Sequence, residues 1–277
     1  MGKARVDRIN IALDATLTPP AHRVKDITGE REKLALVIPT FREAGNLQVL
    51  LDRVRVALDG AGASYEILIV DDDSRDGTVE LVSAIAAADS RVRLIVREGE
   101  RGLSGAVLHG WQCTGAGILG VMDADLQHPP EMLPALLEAI HQGNDLVIGS
   151  RYAKGGKVGD WNPVRHFVSA AAIWVTWPVQ QRHLRARDPM SGFFLVRREC
   201  LDGIPLQKTG FKLLLEILVR GRMRSVCEIP FSFGLRHAGH SKANMKVALD
   251  YAVLLARLYR TRYGFGRRSH RAAESRS

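Results

Sequence analysis

Cysteine is scarce. Cys113, Cys200 and Cys227 are the only three in 277 residues, widely spaced and with no CxxC pair. That excludes a disulfide framework and a zinc knuckle and fits a reducing compartment, with the three thiols read as small buried hydrophobes. Long apolar runs are also missing. The longest candidate, 170–179 (AAAIWVTWPV), holds ten residues, about half of what a membrane span needs. The N-terminus (MGKARVDRINIALDATLTPPAHR) lacks the apolar core of a signal peptide. The expectation is a protein without a transmembrane helix, made and kept in the cytoplasm. No internal repeat is present.

What remains is the balance of a folded protein. Hydrophobic residues make up 46% and charged residues 25%, which excludes disorder, collagen and low complexity for the bulk of the chain. The length suffices to bury a core without staples. Lys+Arg number 39 and Asp+Glu 30, a net charge of +9. Such an excess favours an anionic partner: nucleic acid, a phosphorylated ligand or an acidic membrane surface.

Residues 1–32 are polar with Pro19-Pro20 and read as a poorly ordered extension. Short apolar runs then alternate with segments of helical periodicity. Strands are expected at 34–39, 65–70, 92–96, 118–122 and 145–149, and helices around 47–58, 78–88, 106–113 and 130–141. This alternation predicts an α/β fold with a mostly parallel sheet covered on both faces, whose ligands bind beyond the carboxyl ends of the strands. After residue 155 the pattern changes. Trp161, Trp174 and Trp177 fall between 161 and 182 beside Arg165, His166 and Arg182. A strand is expected at 193–196, a helix at 212–220, a strand at 226–230 and an amphipathic helix at 247–259. From Arg257 onward stand seven arginines and one glutamate.

The segments after the strands carry the chemistry. Asp123-Ala124-Asp125 follows ILGVM, and on extended backbone residues two apart face the same side. Two carboxylates there suit one hard divalent cation, Mg²⁺ or Mn²⁺, bridged to a substrate diphosphate, with Gln127 as a further carbonyl donor. The alternative is a solvated turn. His128 beside this run is a candidate ligand, but reads first as a surface residue or a support for a neighbouring ligand. In Asp71–Thr78 (DDDSRDGT), Ser74 and Asp76 suit turn and capping chemistry. Three adjacent carboxylates repel one another, so Asp72 points to a donor-rich ligand such as a nucleobase N–H or a ribose hydroxyl. Arg151, Arg165, Arg236 and Lys242 are candidates for gripping phosphate.

PTFREAGN (39–46), VDDDSRDGT (70–78), GLSGAVLHGW (102–111), MDADLQHPPEMLP (122–134), GSRYAKGGKVGDW (149–161), DPMSGFF (188–194), GFKLLLEIL (210–218) and RHAGHSK (236–242) occur in this order. Together they closely resemble the polyprenol-phosphate (dolichol-phosphate) mannosyltransferases of glycosyltransferase family 2, over about residues 34–260. The resemblance implies a GT-A, Rossmann-like catalytic domain at 33–244, interface helices about 161–182, an amphipathic C-terminal helix at 245–263 and a basic tail at 264–277. It implies a GDP-mannose donor, a dolichyl or other polyprenyl phosphate acceptor, and inversion at the sugar. By position, Pro39, Phe41, Glu43, Val70 and Asp72 would contact guanosine. Asp123, Ala124, Asp125 and Gln127 would hold metal and donor. Arg151, Arg165, Ser169, Arg236 and Lys242 would surround the donor and acceptor phosphates. The family's usual Pro-Thr-Tyr-Asn-Glu reads Pro-Thr-Phe-Arg-Glu here, so Phe41 keeps a stacking face but loses a hydroxyl, and Arg42 replaces an amide.

A phosphate monoester acceptor is already anionic, so no side chain is expected to act as an essential base. The tryptophans and the stretches 163–181 and 247–260 suit a membrane headgroup layer, with ordinary core packing as the alternative. A membrane-anchoring partner subunit is a further expectation. The competing readings are a related transferase using a UDP-hexose or UDP-N-acetylhexosamine, a catalytically silent scaffold, and a nucleic-acid binder. Against the last, no nucleic-acid motif is present and acids ring the site.

Overall fold

The computed structural model describes residues 32–156, 163–208, 212–232 and 245–264, leaving out the side chains of 163–168 and 245–248. The polar extension, Trp161, Arg236, Lys242 and the basic tail lie outside the described residues, as does the side chain of Arg165.

The first half is a run of strand–helix units: β1 Leu34–Thr40, α1 Ala44–Gly60, β2 Tyr65–Asp71, α2 Thr78–Ala88, β3 Val92–Val96, α3 Leu103–Gln112, β4 Ile118–Val121, α4 Leu133–His141 and β5 Leu146–Ser150. The second half holds α5 Pro163–Thr176, β6 Phe194–Arg197, α6 Leu213–Arg220, β7 Val226–Pro230 and α7 Met245–Gly264. The helix expected from Pro130 opens with a short 3₁₀ turn at Pro130–Met132, because two prolines, Pro130 and Pro134, restrict the start of that segment.

All seven strands join one sheet in the order β3-β2-β1-β4-β6-β5-β7. Alternate residues of β1 feed different cores. Ala35 and Val37 pack with Ala106, Val107 and Trp111 of α3 and with Leu214 and Ile217 of α6. Leu34, Leu36 and Ile38 pack with Leu47, Leu50 and Leu51 of α1 and with Leu136 and Ile140 of α4. The strands therefore read as continuous apolar runs, since both faces are covered.

Two features place the site. The strand order reverses between β1 and β4, and a crevice opens at such a switch point. β6 is the exception to the parallel pattern: it runs antiparallel between β4 and β5. Its entrance therefore lies at the rim where β4 and β5 end, with Val121 opposite Phe194. The segment leading into β6, residues 188–193, is delivered to the mouth of the crevice.

α7 settles part of the packing question. Leu258 is fully buried and joins Val179, Leu215 and Val219 in a third core. The hydroxyls of Tyr251, Tyr259 and Tyr263 donate to the carbonyls of Ala172, Val175 and Pro178 at 2.6, 3.0 and 3.0 Å. One face of α7 thus packs on α5, α6 and the chain after α5, while Leu249 and Val253 stay exposed. Cys200 is buried, but Cys113 and Cys227 are only half-buried, less than their sequence reading expected.

Candidate active site

One end of the crevice is stitched from the loops after β1 and β2. Asp71 takes the Thr40 hydroxyl at 2.9 Å, the Ser74 hydroxyl at 2.7 Å and the Ser74 amide at 2.7 Å. The Ser74 hydroxyl oxygen accepts the Arg42 amide at 2.7 Å. Asp76 accepts the amides of Ala44 and Thr78, both at 3.2 Å, so it ties the loops together at the entrance to α2, although the N-cap position itself falls to Gly77 and not to Asp76. The turn chemistry expected of Ser74 and Asp76 is present.

Much of the repulsion among the adjacent aspartates is answered from within the chain. Asp72 pairs with Arg97 at the end of β3, at 2.6 Å, both side chains nearly fully buried. Its second oxygen accepts the Gly102 amide at 2.8 Å. Burial pushes the Asp72 carboxyl above the usual carboxylate range, although the Gly102 amide and Arg97 oppose that shift. The Arg101 guanidinium sits over the Phe41 ring, 4.5 Å from its centroid, and that of Arg42 lies at 5.2 Å. Glu43 accepts the Asn46 side-chain amide at 2.8 Å. Pro39, one residue before the end of β1, stands beside Val70 in register. The Val70 side chain lies in the core facing α3, so any contact from it to a ligand falls to its backbone.

The acidic part lies beyond β4. Asp125 is buried, and its Oδ1 accepts the Gln127 amide at 3.2 Å across a tight turn in which Leu126 has φ 61°. Ala124 packs into the core on the α1 face. His128 is buried rather than on the surface. It stacks on Phe193 with centroids 5.3 Å apart, and its Nδ1 accepts the Asp123 amide at 3.3 Å. Burial holds its imidazole below the usual histidine pKa, so at neutral pH it is an acceptor that shapes the turn. Burial raises the Asp123 carboxyl and Asp125 adds repulsion, against the opposing charges of Lys212 and Arg151 and, when its ring is protonated, of His128. Gly192 lies directly beneath: a Cβ there would stand 2.6 Å from Asp123 Oδ2.

The basic part faces it. Arg151, just past β5, forms a two-pronged pair with Asp188, Nε to Oδ2 at 2.8 Å and Nη2 to Oδ1 at 2.7 Å. Lys212, at the start of α6, feels the charges of Arg151, Asp123 and Asp188; burial and then Arg151 hold its ammonium below the usual lysine range. Ser169 on α5 shares a 2.7 Å hydrogen bond with Tyr152, so it neighbours the Arg151 turn. Lys212, Asp188, Gly192 and Arg97 were not singled out by sequence reasoning. The first three lie inside quoted motifs, but no local spacing marks them as neighbours of Asp123 or Arg151.

The arrangement suits a hard cation in one respect: Asp123, whose carboxyl pKa is raised by burial, has a second carboxylate, Asp125, close enough to repel it. Among the described residues no group of three His, Cys, Asp or Glu side chains is placed to hold a metal. Asp123 and Asp125 would therefore supply only part of a coordination shell, which fits a site completed by phosphate oxygens and water.

The profile of glycosyl transferase family 2 matches residues 35–204. The chain is 44% identical over 226 residues to a dolichol-phosphate mannosyltransferase of Pyrococcus furiosus, covering 82% of this chain and 63% of that protein. It is 40% identical over 246 residues to a dolichol-phosphate mannosyltransferase of Mycosarcoma maydis, covering 86% and 82%. The chain belongs to glycosyl transferase family 2, in its polyprenol-phosphate mannosyltransferase branch. It spans less than two thirds of the Pyrococcus protein's length. Among solved structures, the glucosyl-3-phosphoglycerate synthase of Mycobacterium tuberculosis in complex with Mn²⁺, uridine diphosphate and glucosyl-3-phosphoglycerate aligns with a TM-score of 0.54 at 20% identity, covering 90% of this chain and 88% of that one. That likeness bears on the α/β glycosyltransferase fold of this family member.

Proposed function

We propose that the protein transfers mannose from GDP-mannose to a polyprenyl monophosphate with inversion, giving a polyprenyl-phosphate-mannose. The observation that carries this reading is the opposition, across one rim, of the Asp123–Asp125 pair and the cations Arg151 and Lys212. Such a site manages anions on both sides of a breaking bond. The names of the relatives supply the sugar and the lipid.

The acceptor phosphate is an oxyanion at neutral pH and needs no side chain to remove a proton before it attacks. The work left to the protein is positioning two anionic groups in line and offsetting their repulsion. Arg151 and Lys212 do this from the basic side. In this reading Phe41, Glu43 and Asp72 serve the nucleoside, and Ser169 serves the acceptor phosphate. Motif position adds Arg165, Arg236 and Lys242 to the phosphate-binding set. A divalent cation, Mg²⁺ or Mn²⁺, held by Asp123 and Asp125 with Gln127 nearby, would stabilise charge on the departing diphosphate.

A lipid acceptor requires a surface that reaches it. Among the described residues no helix is long and apolar enough to cross a membrane. Instead Trp174 and Trp177 are exposed, at 71% and 44%. They edge a groove of about 590 Å³ between the end of α5 and α7, which also holds Arg182, Arg185 and Arg262. Indole and guanidinium groups together suit the headgroup layer. In this reading the enzyme works peripherally at the cytoplasmic face of a membrane.

The test is incubation with radiolabelled GDP-mannose, Mg²⁺ or Mn²⁺ and short polyprenyl phosphates, with unlabelled UDP-glucose or UDP-N-acetylglucosamine as competitor. Label moves into the organic phase and excess UDP-sugar does not displace it. Label that stays aqueous contradicts the reading, and strong competition by a UDP-sugar reassigns the donor.

A further inference from the structure

We infer that Asp188 and Glu228 form a two-stage clamp whose function is to fix the direction of the Arg151 guanidinium, so both are positioning residues for the transfer. This inference rests on the proposed role of Arg151 in gripping phosphate. Three donors of one residue converge on the Asp188 carboxylate: the Arg151 amide at 3.0 Å, Nε at 2.8 Å and Nη2 at 2.7 Å. The Asp188 side chain is completely buried, and that of Arg151 is 15% exposed. Two of the three guanidinium nitrogens are thereby committed, and the plane of the group is set.

Asp188 lies on a turn that is itself held. Both oxygens of Glu228, on β7, accept backbone amides of that turn: Asp188 at 3.0 Å and Arg187 at 2.9 Å. Glu228 stands opposite Ile148 in the parallel β5–β7 pairing, so the anchor is part of the same sheet that ends in Arg151. Three residues further along, Ser191 donates its hydroxyl to the Gly149 carbonyl at 2.7 Å. The chain from Arg187 to Ser191 is thus fastened at one end to β7 and at the other to β5, the strand that leads into the arginine.

The physical reason for such a clamp is entropic and geometric. An arginine has many rotamers, and ordering one upon binding costs about 0.5–1.5 kcal/mol. A guanidinium already locked against a buried carboxylate presents its remaining donors in one direction. Asp188 also offsets one positive charge beside Asp123, which limits how strongly the site holds a released anion. With three donors on its carboxylate, Asp188 is occupied as a holder of Arg151.

The experiment is a double-mutant cycle in the full chain, measuring kcat and KM for a short polyprenyl phosphate. Asp188→Asn lowers kcat/KM by about tenfold or more in the wild-type background. In an Arg151→Lys background, where no two-pronged pair can form, the same change costs less than about twofold. An equal loss in both backgrounds overturns the clamp, because Asp188 would then act on something other than Arg151. Since Asp188→Asn disturbs a buried pair, Glu228→Gln is measured alongside it. One turn amide then loses its acceptor, and kcat/KM falls by about threefold or more, again only when Arg151 is present. A loss unaffected by Arg151→Lys overturns the outer stage.

A second readout is independent of turnover. The Arg151 Nε–H resonance, assigned by its disappearance in Arg151→Lys, exchanges slowly with solvent in the wild type. It exchanges about tenfold faster or more in Asp188→Asn and measurably faster in Glu228→Gln. Unchanged exchange in both variants overturns the clamp even when transfer is impaired. If the wild type transfers no mannose, the proposed reaction falls, and the exchange measurement still decides the clamp.

Discussion

Arg42, Asp73 and Leu126 hold φ angles of 62°, 55° and 61°, and each lies in a loop that rims the crevice, after β1, β2 and β4 respectively. Left-handed backbone at residues other than glycine costs about 1–3 kcal/mol and collects where geometry is tied to function. Here it bends the chain just after β1, within the Asp71–Asp73 run and just after Asp125. At this scale the account makes a direct prediction for the acidic pair. Asp125→Asn lowers turnover by about 100-fold and raises the Mg²⁺ or Mn²⁺ concentration needed for half-maximal rate; unchanged rate and metal dependence contradict the assignment. A second prediction lies away from the site. Asp89 accepts from Arg91 at its amide, Nε and Nη2, at 3.0, 3.0 and 2.9 Å. The Arg91 hydrogen bonds outweigh burial and lower the Asp89 pKa from 3.8 to about 2. A depressed carboxylate pKa contributes stability above the unfolded value and loses it as pH falls through the folded one. Urea titrations between about pH 5 and pH 2 therefore show wild-type stability falling more steeply with acid than that of Asp89→Asn.

Elements were legible wherever burial imposed a period. Every strand of the first half appears where the apolar runs placed it, because a strand covered on both faces shows itself as an unbroken run. The four-residue β6 was visible too, but its direction was not. Orientation is decided by pairing with β4 and β5, far apart in sequence, and that pairing brings Asp188 and Gly192 to Arg151 and Asp123. The Asp72–Arg97 pair escaped notice for the same reason, since its partners lie 25 residues apart on neighbouring strands. Arg151 and Arg165 were named from their side-chain chemistry and Ser169 from motif resemblance, and the Ser169–Tyr152 contact gives a structural reason to group Ser169 with the Arg151 turn. One element is unusually tight. A Cβ at Gly110 would meet Val37 Cγ2 at 2.8 Å and Val70 Cγ2 at 3.0 Å, so α3 lies on β1 and β2 with no room for a methyl group. Gly110→Ala is expected to destabilise the fold by about 1–3 kcal/mol through overpacking, measured by thermal or denaturant unfolding.

At the scale of the whole molecule, a net charge of +9, an exposed indole pair and a groove edged by arginines describe a protein suited to meeting an anionic surface. Attraction of this kind is screened by salt. Sedimentation with vesicles containing anionic lipid is predicted to weaken as salt rises from about 0.05 to 0.5 M, and to weaken in Trp174→Ala/Trp177→Ala at fixed salt. Binding indifferent to both changes would place the docking surface elsewhere. The site itself is asymmetric, with acids at the end of β4 and cations at the end of β5 and the start of α6, so a substrate spanning it experiences a field along one line. The central claim is that an acceptor oxyanion entering from the cationic side displaces the nucleoside diphosphate in a single step. The anomeric configuration of the product, read by NMR from α-linked GDP-mannose, tests this most directly. The account predicts a β-mannosyl phosphate; an α-linked product would require a second displacement and would contradict it.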